Sequence, residues 1–232
     1  MIAIDGPAAA GKTTVARAVA DRLRATLFDT GVLYRTVTLA AIRRGIPDTA
    51  HNALAELAAT VPIAIRPPGV ADGRLYDVIL DGEDVTWAIR EKQVEARVSA
   101  VSAIPSVRNA LMPAQRRIAA AGFVVMVGRD VGSVVIPEAG LKVFLDASVE
   151  ERARRRAREL EERGTPGDSD AILAAMRVRD AYDSERAVAP LRVADDAVVI
   201  ATDHRSVSSI VDEIVSVAMA CGITAPAEAR RR

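Results

Sequence analysis

The chain has 232 residues, half of which are hydrophobic, and this length suits a single core with at most a modest insertion. It carries 31 basic and 31 acidic side chains, so its net charge of zero argues against general binding to nucleic acid or to an anionic membrane. A single cysteine, Cys221, excludes an intrachain disulfide. The sequence shows neither an apolar run long enough to span a membrane nor a signal-peptide pattern, and its first predicted strand begins at residue 2. These features predict a soluble, cytoplasmic protein.

The first motif lies at the start of the chain, between a predicted strand and a predicted helix. Gly6, Gly11, Lys12 and Thr13 match the pattern G-x-x-x-x-G-K-[ST] of a phosphate-binding loop, or P-loop. The two glycines allow the loop backbone to turn its N–H groups toward a polyphosphate at the N-terminus of the following helix. In this arrangement Lys12 reaches the β- and γ-phosphates and the Thr13 hydroxyl coordinates Mg²⁺. The motif therefore predicts polyphosphate binding rather than an ordinary glycine-rich turn.

Apolar runs alternate with helical patterns along the rest of the chain. Buried-type strands are predicted at residues 2–5, 26–28, 123–127, 141–145 and 197–200. Helices are predicted from residue 13 and over about 31–44, 91–103, 106–121, 149–163, 169–184 and 206–220, with Thr30 as the N-cap of the helix at 31–44. A short helix that contains Leu54, Leu57 and Ala58 is predicted after residue 47. Strands that each lead into a helix predict an α/β fold, with a five-stranded parallel sheet flanked by helices on both faces. Between residues 61 and 85, short strand-like runs separated by turn signals predict a small antiparallel insert, with strands near 61–66, 75–80 and 85.

The polar residues that follow the strands are expected to meet at one edge of the sheet. Ligands of a parallel sheet bind beyond the carboxyl ends of its strands. Besides the P-loop, the residues in these positions are Asp29, Thr30, Arg129, Asp130 and Asp146. We therefore expect the functional site at this edge.

Arginines add a second signal that can be interpreted in two ways. Residues 152–158 hold five arginines, of which Arg152, Arg155 and Arg156 share one helical face. Glutamates at i,i+4 spacing would pair with Arg154, Arg155 and Arg158 on a plain solvated helix, whereas an anionic ligand would relieve the repulsion between clustered guanidinium groups. Because phosphoryl transfer requires cations around the transferred group, a P-loop with arginines from several strand ends suits two anionic substrates.

Several segments resemble one known family, in order and along nearly the whole chain. They are Gly-Pro-Ala-Ala-Ala-Gly-Lys-Thr-Thr at 6–14, Asp-Thr-Gly-Val-Leu-Tyr-Arg at 29–35, Asp-Gly-Glu-Asp-Val-Thr-Trp-Ala-Ile-Arg at 81–90, Pro-Ser-Val-Arg at 105–108, Gly-Arg-Asp-Val-Gly-Ser-Val-Val at 128–135, Phe-Leu-Asp-Ala-Ser-Val-Glu-Glu-Arg-Ala at 144–153, Arg-Asp at 179–180, Asp183, and Glu-Arg-Ala-Val-Ala-Pro-Leu at 185–191. Together they closely resemble bacterial-type cytidylate kinase, a P-loop nucleoside monophosphate kinase. The P-loop is shared by many families, whereas Gly-Arg-Asp and Arg-Ala-Val-Ala-Pro-Leu are specific to this one.

The resemblance implies a set of residues for ATP. The loop around the ATP phosphates would consist of Gly6, Pro7, Ala8, Ala9, Ala10, Gly11, Lys12, Thr13 and Thr14, with Mg²⁺ at Thr13. Arg152, Arg155 and Arg156 would belong to a short lid that closes over ATP. The residues expected to act in catalysis are Lys12, Arg129, Arg152 and Arg155.

The resemblance also implies a set of residues for CMP. The CMP phosphate would contact Thr30, Arg35 and Arg129, with Tyr34 beside Arg35 and Arg186 in the same phosphate site. The cytosine edge would be bound by Ser99, Arg108 and Asp130, and the ribose by Arg179 and Asp183. The implied domains are a core of residues 1–60, 103–147 and 188–232, a CMP-binding insert of residues 61–102, and a lid with its following helix at 148–187.

The sequence therefore predicts phosphoryl transfer from ATP to CMP, and to dCMP, giving the nucleoside diphosphate and ADP in pyrimidine nucleotide metabolism. We expect a monomer that binds neither nucleic acid nor membranes. Three positions depart from the commonest family pattern, namely Thr14, Val127 and Tyr182. Two alternatives stay open: a P-loop kinase for another small molecule such as UMP or AMP, and a P-loop switch such as a GTPase. Against the switch, the chain has no Asn-Lys-x-Asp element for reading guanine.

Overall fold

The computed structural model describes residues 1–162, 164–186 and 188–224, and its residues cluster into two compact units. The first unit comprises Met1–Asp29 and Arg116–Arg232, and the second comprises Thr30–Gln115. The strands are β1 (Ile2–Asp5), β2 (Thr26–Asp29), β3 (Ile63–Arg66), β4 (Asp77–Leu80), β5 (Glu83–Asp84), β6 (Val124–Val127), β7 (Leu141–Asp146) and β8 (Val198–Ala201). The helices are α1 (Lys12–Leu23), α2 (Gly31–Arg43), α3 (His51–Thr60), α4 (Lys92–Ala103), α5 (Pro105–Ala120), α6 (Val149–Glu162), α7 (Ser169–Glu185) and α8 (Val207–Ala220).

In the first unit, a parallel sheet carries five strands in the order β2-β6-β1-β7-β8. At its centre, Ile4 of β1 lies beside Val127 of β6 and Val143 of β7. Every residue of β1 is buried, as expected for an apolar strand in a parallel sheet that is covered on both faces. α1 and α8 pack their apolar faces together and against the sheet to form the core. The predicted α/β fold with a five-stranded parallel sheet is confirmed.

In the second unit, β3, β4 and β5 form a small antiparallel sheet in chain order. Ile63 of β3 lies opposite Leu80 of β4, and α2 packs against this sheet and against α3 and α4. The Arg74 guanidinium makes ion pairs with Asp72, Asp77 and Asp84, which ties the turn before β4 to β5. The predicted antiparallel insert is confirmed. Its third strand lies at Glu83–Asp84, however, and not at residue 85.

Several local features differ from the sequence-based expectations. α1 begins at Lys12, one residue earlier than predicted, because Gly11 takes up the left-handed N-cap conformation with a φ of 86°. Thr30 occupies the N-cap position of α2, but its helical backbone angles (φ −60°, ψ −27°) differ from the extended angles of a typical side-chain cap. Two short turns were not predicted: a 3₁₀ turn at Ala88–Arg90 and a π-helical turn at Val131–Val135.

The functional division into core, insert and lid stays a prediction. The helix predicted to end at 163, the lid range that ends at 187 and the core range that ends at 232 each extend to residues outside the described part of the chain. Among the described residues, each helix is too short or too polar to traverse a lipid bilayer.

Candidate active site

The P-loop joins β1 to α1, and its shape depends on backbone conformations that favour glycine. Gly6 has a φ of 148°, and a Cβ placed there would lie 2.2 Å from the carbonyl oxygen of Leu145 in β7. Gly11 turns the chain into α1 with its positive φ, and Ala9 also lies in the left-handed region, with a φ of 59°. The close approach to β7 and the turn into α1 therefore explain why the motif requires its two glycines.

Lys12 is the first residue of α1, and its ammonium group is buried beside the P-loop. Its Nζ donates a hydrogen bond to the carbonyl oxygen of Pro7 at 2.6 Å, and the residue is only 7% exposed. Burial and then the positive charge of Arg129 hold the pKa of Lys12 well below its ordinary value, and Arg179 contributes in the same direction. An anionic ligand would stabilise the charged form of this ammonium group.

Asp29, at the end of β2, lies close to the P-loop. The Thr13 hydroxyl donates a hydrogen bond to Asp29 Oδ2 at 3.3 Å, and the Asp29 carboxylate acts to raise the pKa of Lys12. Among the described residues, no group of three or more His, Cys, Asp or Glu side chains could hold a metal ion. Thr13 and Asp29 nevertheless offer two oxygen ligands of the kind that Mg²⁺ takes in kinases, where phosphates and waters complete its coordination. The two oxygens of Thr13 and Asp29 therefore fit Mg²⁺. The sequence analysis placed Asp29 at this edge of the sheet but gave it no role.

Four residues predicted for CMP are brought together in the first unit. Arg129 and Asp130 follow β6, whereas Asp183 lies near the end of α7 and Arg186 just beyond it. Arg129 Nε bonds to Asp183 Oδ2 at 2.9 Å, and Arg186 Nη2 lies 3.6 Å from Asp130 Oδ1. The Asp130, Asp183 and Arg186 side chains are almost fully buried. The loop after β6 is therefore held to the end of α7 by two ion pairs.

Asp5 is a further residue of this region that sequence reasoning missed. It is the last residue of β1 and 6% exposed, and its carboxylate accepts hydrogen bonds from the backbone N–H groups of Val131 and Gly132. Burial raises the pKa of Asp5 to about 6, against the effect of those two hydrogen bonds, and the charge of Asp130 adds to the increase. An acidic residue at the end of an otherwise apolar strand was the available signal.

Arg152 of α6 lies against the P-loop. It is 4% exposed, and its Nη1 lies 3.3 Å from the carbonyl oxygen of Ala8, to which it donates a hydrogen bond. The same guanidinium group makes two hydrogen bonds to the carboxylate of Asp180 in α7. Arg152 thus connects three elements of the first unit, and the solvated-helix interpretation does not hold for it.

Arg155 also lies beside the P-loop, and Arg156 follows it in α6. Arg155 Nη1 donates a hydrogen bond to the Thr202 hydroxyl at 3.0 Å, and Nη2 donates to the Thr202 carbonyl oxygen at 2.7 Å. Its proximity to the P-loop is shown by Gly11, where an added Cβ would lie 3.7 Å from Arg155 Nη1. Arg156, which is half-buried, pairs with Glu159 along α6 at 2.8 Å. Thr202 was missed by sequence reasoning, although it directly follows the last strand. Its N–H group bonds to the carbonyl oxygen of Asp146, whose residue is exposed at the end of β7.

In the second unit, Tyr34 of α2 and Arg108 of α5 are brought together. The Arg108 guanidinium carbon lies 5.3 Å from the centre of the Tyr34 ring, within the range of a cation–π interaction. Arg108 is 2% exposed and donates to the carbonyl oxygen of Ser102 at 3.0 Å. The Tyr34 hydroxyl accepts a hydrogen bond from Gln115, a fully buried residue that sequence reasoning missed.

The remaining predicted residues of the second unit lie on two helices. Thr30, the N-cap of α2, is buried, and Arg35, five residues further along the chain, is half-buried. Ser99 is half-buried in α4, and its carbonyl oxygen accepts a hydrogen bond from the Ser102 hydroxyl at 3.1 Å. The roles of all these residues stay predictions.

Comparisons with known proteins show one family. The sequence model of the family described as cytidylate kinase matches residues 2–220. A cytidylate kinase of Herpetosiphon aurantiacus is 47% identical and covers 92% of this chain and 92% of that protein. Another, from Chloroflexus aggregans, is 48% identical and covers 87% of this chain and 86% of that protein. The chain belongs to the cytidylate kinase family.

The fold also resembles that of a solved structure. A crystal structure of an uncharacterized protein from Eubacterium ventriosum matches with a TM-score of 0.50 at 13% sequence identity. The match covers 94% of this chain and 97% of that chain. At this identity the similarity shows the fold alone.

As a member of the cytidylate kinase family, the chain is a phosphotransferase that phosphorylates CMP with ATP, and the prediction from the sequence is confirmed. The other small-molecule kinases and the P-loop switch are not favoured.

Of the three departures from the commonest family pattern, Val127 is 1% exposed and belongs to the core of the first unit. Thr14 and Tyr182 are exposed to solvent.

Proposed function

We propose that this cytidylate kinase transfers the terminal phosphoryl group of ATP to dCMP as well as CMP, with Mg²⁺, as a cytoplasmic monomer. The observation that carries phosphoryl transfer to a second nucleotide is the group of cations around Lys12. Arg129 and Arg179, from the loop after β6 and from α7, are near enough to lower the pKa of Lys12 in the P-loop. A P-loop needs only its own lysine to bind one nucleotide, whereas cations from two further elements suit a second phosphate-bearing substrate.

The reaction joins a phosphate oxygen of CMP to the γ-phosphorus of ATP. As this P–O bond forms, the bond from the γ-phosphorus to the bridging oxygen breaks, and ADP leaves with the electron pair. Lys12 stabilises negative charge on the γ-phosphoryl group and the bridging oxygen, and Arg152 and Arg155 add positive charge beside the loop. A general base is not required, because a nucleotide phosphate is already anionic near neutral pH.

Magnesium would be held by Thr13 and Asp29 together with the ATP phosphates. When bound there, Mg²⁺ would supply charge neutralisation for the ATP phosphates. The hydrogen bond between Thr13 and Asp29 orients both oxygens in advance.

The acceptor specificity depends on residues that pair with cytosine. Asp130 would accept a hydrogen bond from the N4 amine, and Arg108 and Ser99 would serve the other polar atoms of the cytosine edge. Uracil carries a carbonyl at the corresponding position, so a carboxylate there would face an acceptor, at a cost of about 1–3 kcal/mol. The phosphate contacts are assigned to Thr30, Arg35, Arg129 and Arg186 with Tyr34 beside them, and the ribose contacts to Arg179 and Asp183.

An acceptor panel tests this function directly. CMP, dCMP, UMP and AMP are each supplied with ATP and Mg²⁺, and ADP release is measured. We expect CMP and dCMP to be the best acceptors, with activity lost when EDTA removes Mg²⁺. A higher rate with UMP or AMP would contradict the assignment of the acceptor, and ADP release that does not depend on any acceptor would contradict the kinase proposal. Light scattering after gel filtration tests the monomer.

A further inference from the structure

Asp5 is a buried carboxylate for which the proposed chemistry has no use. It ends β1 directly before Gly6, the first residue of the P-loop motif. Both of its carboxylate oxygens are engaged, because Oδ1 accepts the N–H of Val131 at 2.8 Å and Oδ2 accepts the N–H of Gly132 at 2.7 Å. Burying a carboxylate costs free energy, and two backbone N–H groups of one turn offset that cost for Asp5. This pairing indicates that Asp5 and the turn act together.

The two hydrogen bonds cap the turn that follows the Gly-Arg-Asp motif. Val131 and Gly132 are the first two residues of the π-helical turn, and Asp130 is its N-cap. The first N–H groups of a helical turn have no acceptor within the turn, so an outside acceptor decides how the turn is placed. The Asp5 carboxylate supplies that acceptor, and it fixes the backbone immediately after Arg129 and Asp130.

Asp5 itself has a rigid support. β1 lies between β6 and β7 in the sheet, and Asp5 is paired with Phe144 of β7. The next residue, Gly6, lies directly against the Leu145 carbonyl. A change of the Asp5 side chain therefore leaves the backbone of β1 and of the P-loop anchored, and its effect is expected to fall on the loop after β6.

We propose that Asp5 is a positioning residue for the acceptor nucleotide, which caps the turn at Val131–Gly132 and thereby holds Arg129 and Asp130 in place for CMP. This inference rests on the proposed assignment of Arg129 and Asp130 to CMP. Asparagine at this position has one acceptor oxygen and one NH₂ donor, so it satisfies only one of the two backbone N–H groups and opposes the other.

The test compares Asp5→Asn and Asp5→Glu with wild type in the full chain. Calorimetry measures the Kd for CMP and for a non-hydrolysable ATP analogue, and hydrogen exchange measures the Val131 and Gly132 amides without ligand. We expect Asp5→Asn to weaken CMP binding about tenfold or more, since a buried donor loses its partner, and to speed exchange of at least one of the two amides. The ATP analogue should bind within about twofold of wild type, because its contacts are on the anchored P-loop. Asp5→Glu keeps the charge but displaces the carboxylate, and it should show the same selective loss in a smaller degree.

A matched control separates positioning from general destabilisation. Val215→Ala shortens a buried side chain of α8 in the same core and leaves Asp5, Val131 and Gly132 unchanged. It should lower the melting temperature while leaving CMP affinity within about twofold of wild type. Unchanged CMP binding in folded Asp5 variants, or equal losses for CMP and the ATP analogue, would overturn the proposal. Failure of wild type itself to bind CMP would instead contradict the proposed function, and exchange at the two amides would still decide whether Asp5 caps the turn.

Discussion

Two loops of the first unit are held in place in different ways. The P-loop is shaped by its backbone: Gly6 and Gly11 have positive φ angles, and Gly6 lies against a carbonyl of β7. The loop at residues 128–132 is held by side chains, through Asp5, Asp183 and Arg186. The partners in these side-chain contacts are far apart in sequence, 126 residues for Asp5 with Val131 and 54 for Arg129 with Asp183.

This difference explains what each loop can specify. A loop that presents backbone N–H groups recognises phosphate, which every nucleotide carries, and it suits the common donor. A loop that presents Arg129 and Asp130 can distinguish one acceptor from another, but only if distant residues hold those side chains in position. We therefore expect mutations at the P-loop to affect turnover with any acceptor, and mutations at the second loop to affect the choice of acceptor.

The largest effect that distinguishes the loops is expected at Lys12. Lys12→Ala should reduce turnover about a thousandfold, because it removes a buried cation from the transferred phosphoryl group. Binding of CMP, measured by calorimetry, should stay close to that of wild type. Arg22→Ala, at an exposed ion pair with Asp212 on the surface of the same unit, serves as a control and should leave turnover unchanged. Substantial turnover in Lys12→Ala would contradict the phosphate assignment.

The second effect concerns stability and depends on the charge of Asp5. The pKa of Asp5 is raised by burial to about 6 in the folded chain, so the folded state binds this proton more tightly than the unfolded state does. The resulting stability is fully present below the unfolded pKa near 4 and is lost as the pH rises through about 6. Relative to Asp5→Asn, which cannot titrate, wild type should lose about 3 kcal/mol of unfolding free energy between pH 3.5 and pH 7. Urea unfolding at these pH values measures the difference, and a difference that does not change with pH would show that the carboxylate is not buried as described.

The sequence predicted the locally encoded parts of the molecule. The apolar runs that became β1, β6 and β7, and the glycine spacing of the P-loop, are contiguous signals, and the fold was predicted from them. Asp5, Asp29 and Thr202 were given no role, because what they do depends on which strand ends the sheet topology brings together. Gln115 had no signal at all: a glutamine within a helical pattern is usually exposed, and only the fold shows that this one is fully buried against Tyr34.

A third prediction concerns the base at the side-chain-held loop. Asp130→Ala should lower kcat/KM for CMP about tenfold to a hundredfold, because the N4 amine loses a charged acceptor in a buried position. The loss for UMP should be much smaller, so the ratio of the two kcat/KM values measures the base-reading role. Equal losses for CMP and UMP would assign Asp130 to loop structure alone.

The smallest effect is expected at Tyr34, and it tests whether a side chain also holds a predicted CMP-binding residue in place in the second unit. Tyr34→Phe removes the hydroxyl that accepts the Gln115 hydrogen bond, and it keeps the ring against Arg108. A buried amide donor is left without this partner, so we expect the free energy of unfolding to fall by about 1 kcal/mol. The KM for CMP should change little, because the ring still supports Arg108, whereas Tyr34→Leu removes the ring and should raise that KM. Tyr182→Phe, at an exposed tyrosine of α7, is the matched control and should leave stability unchanged. If Tyr34→Phe and Tyr34→Leu raised the KM equally, the hydroxyl would be the group that matters to CMP, and the ring would not be the support of Arg108.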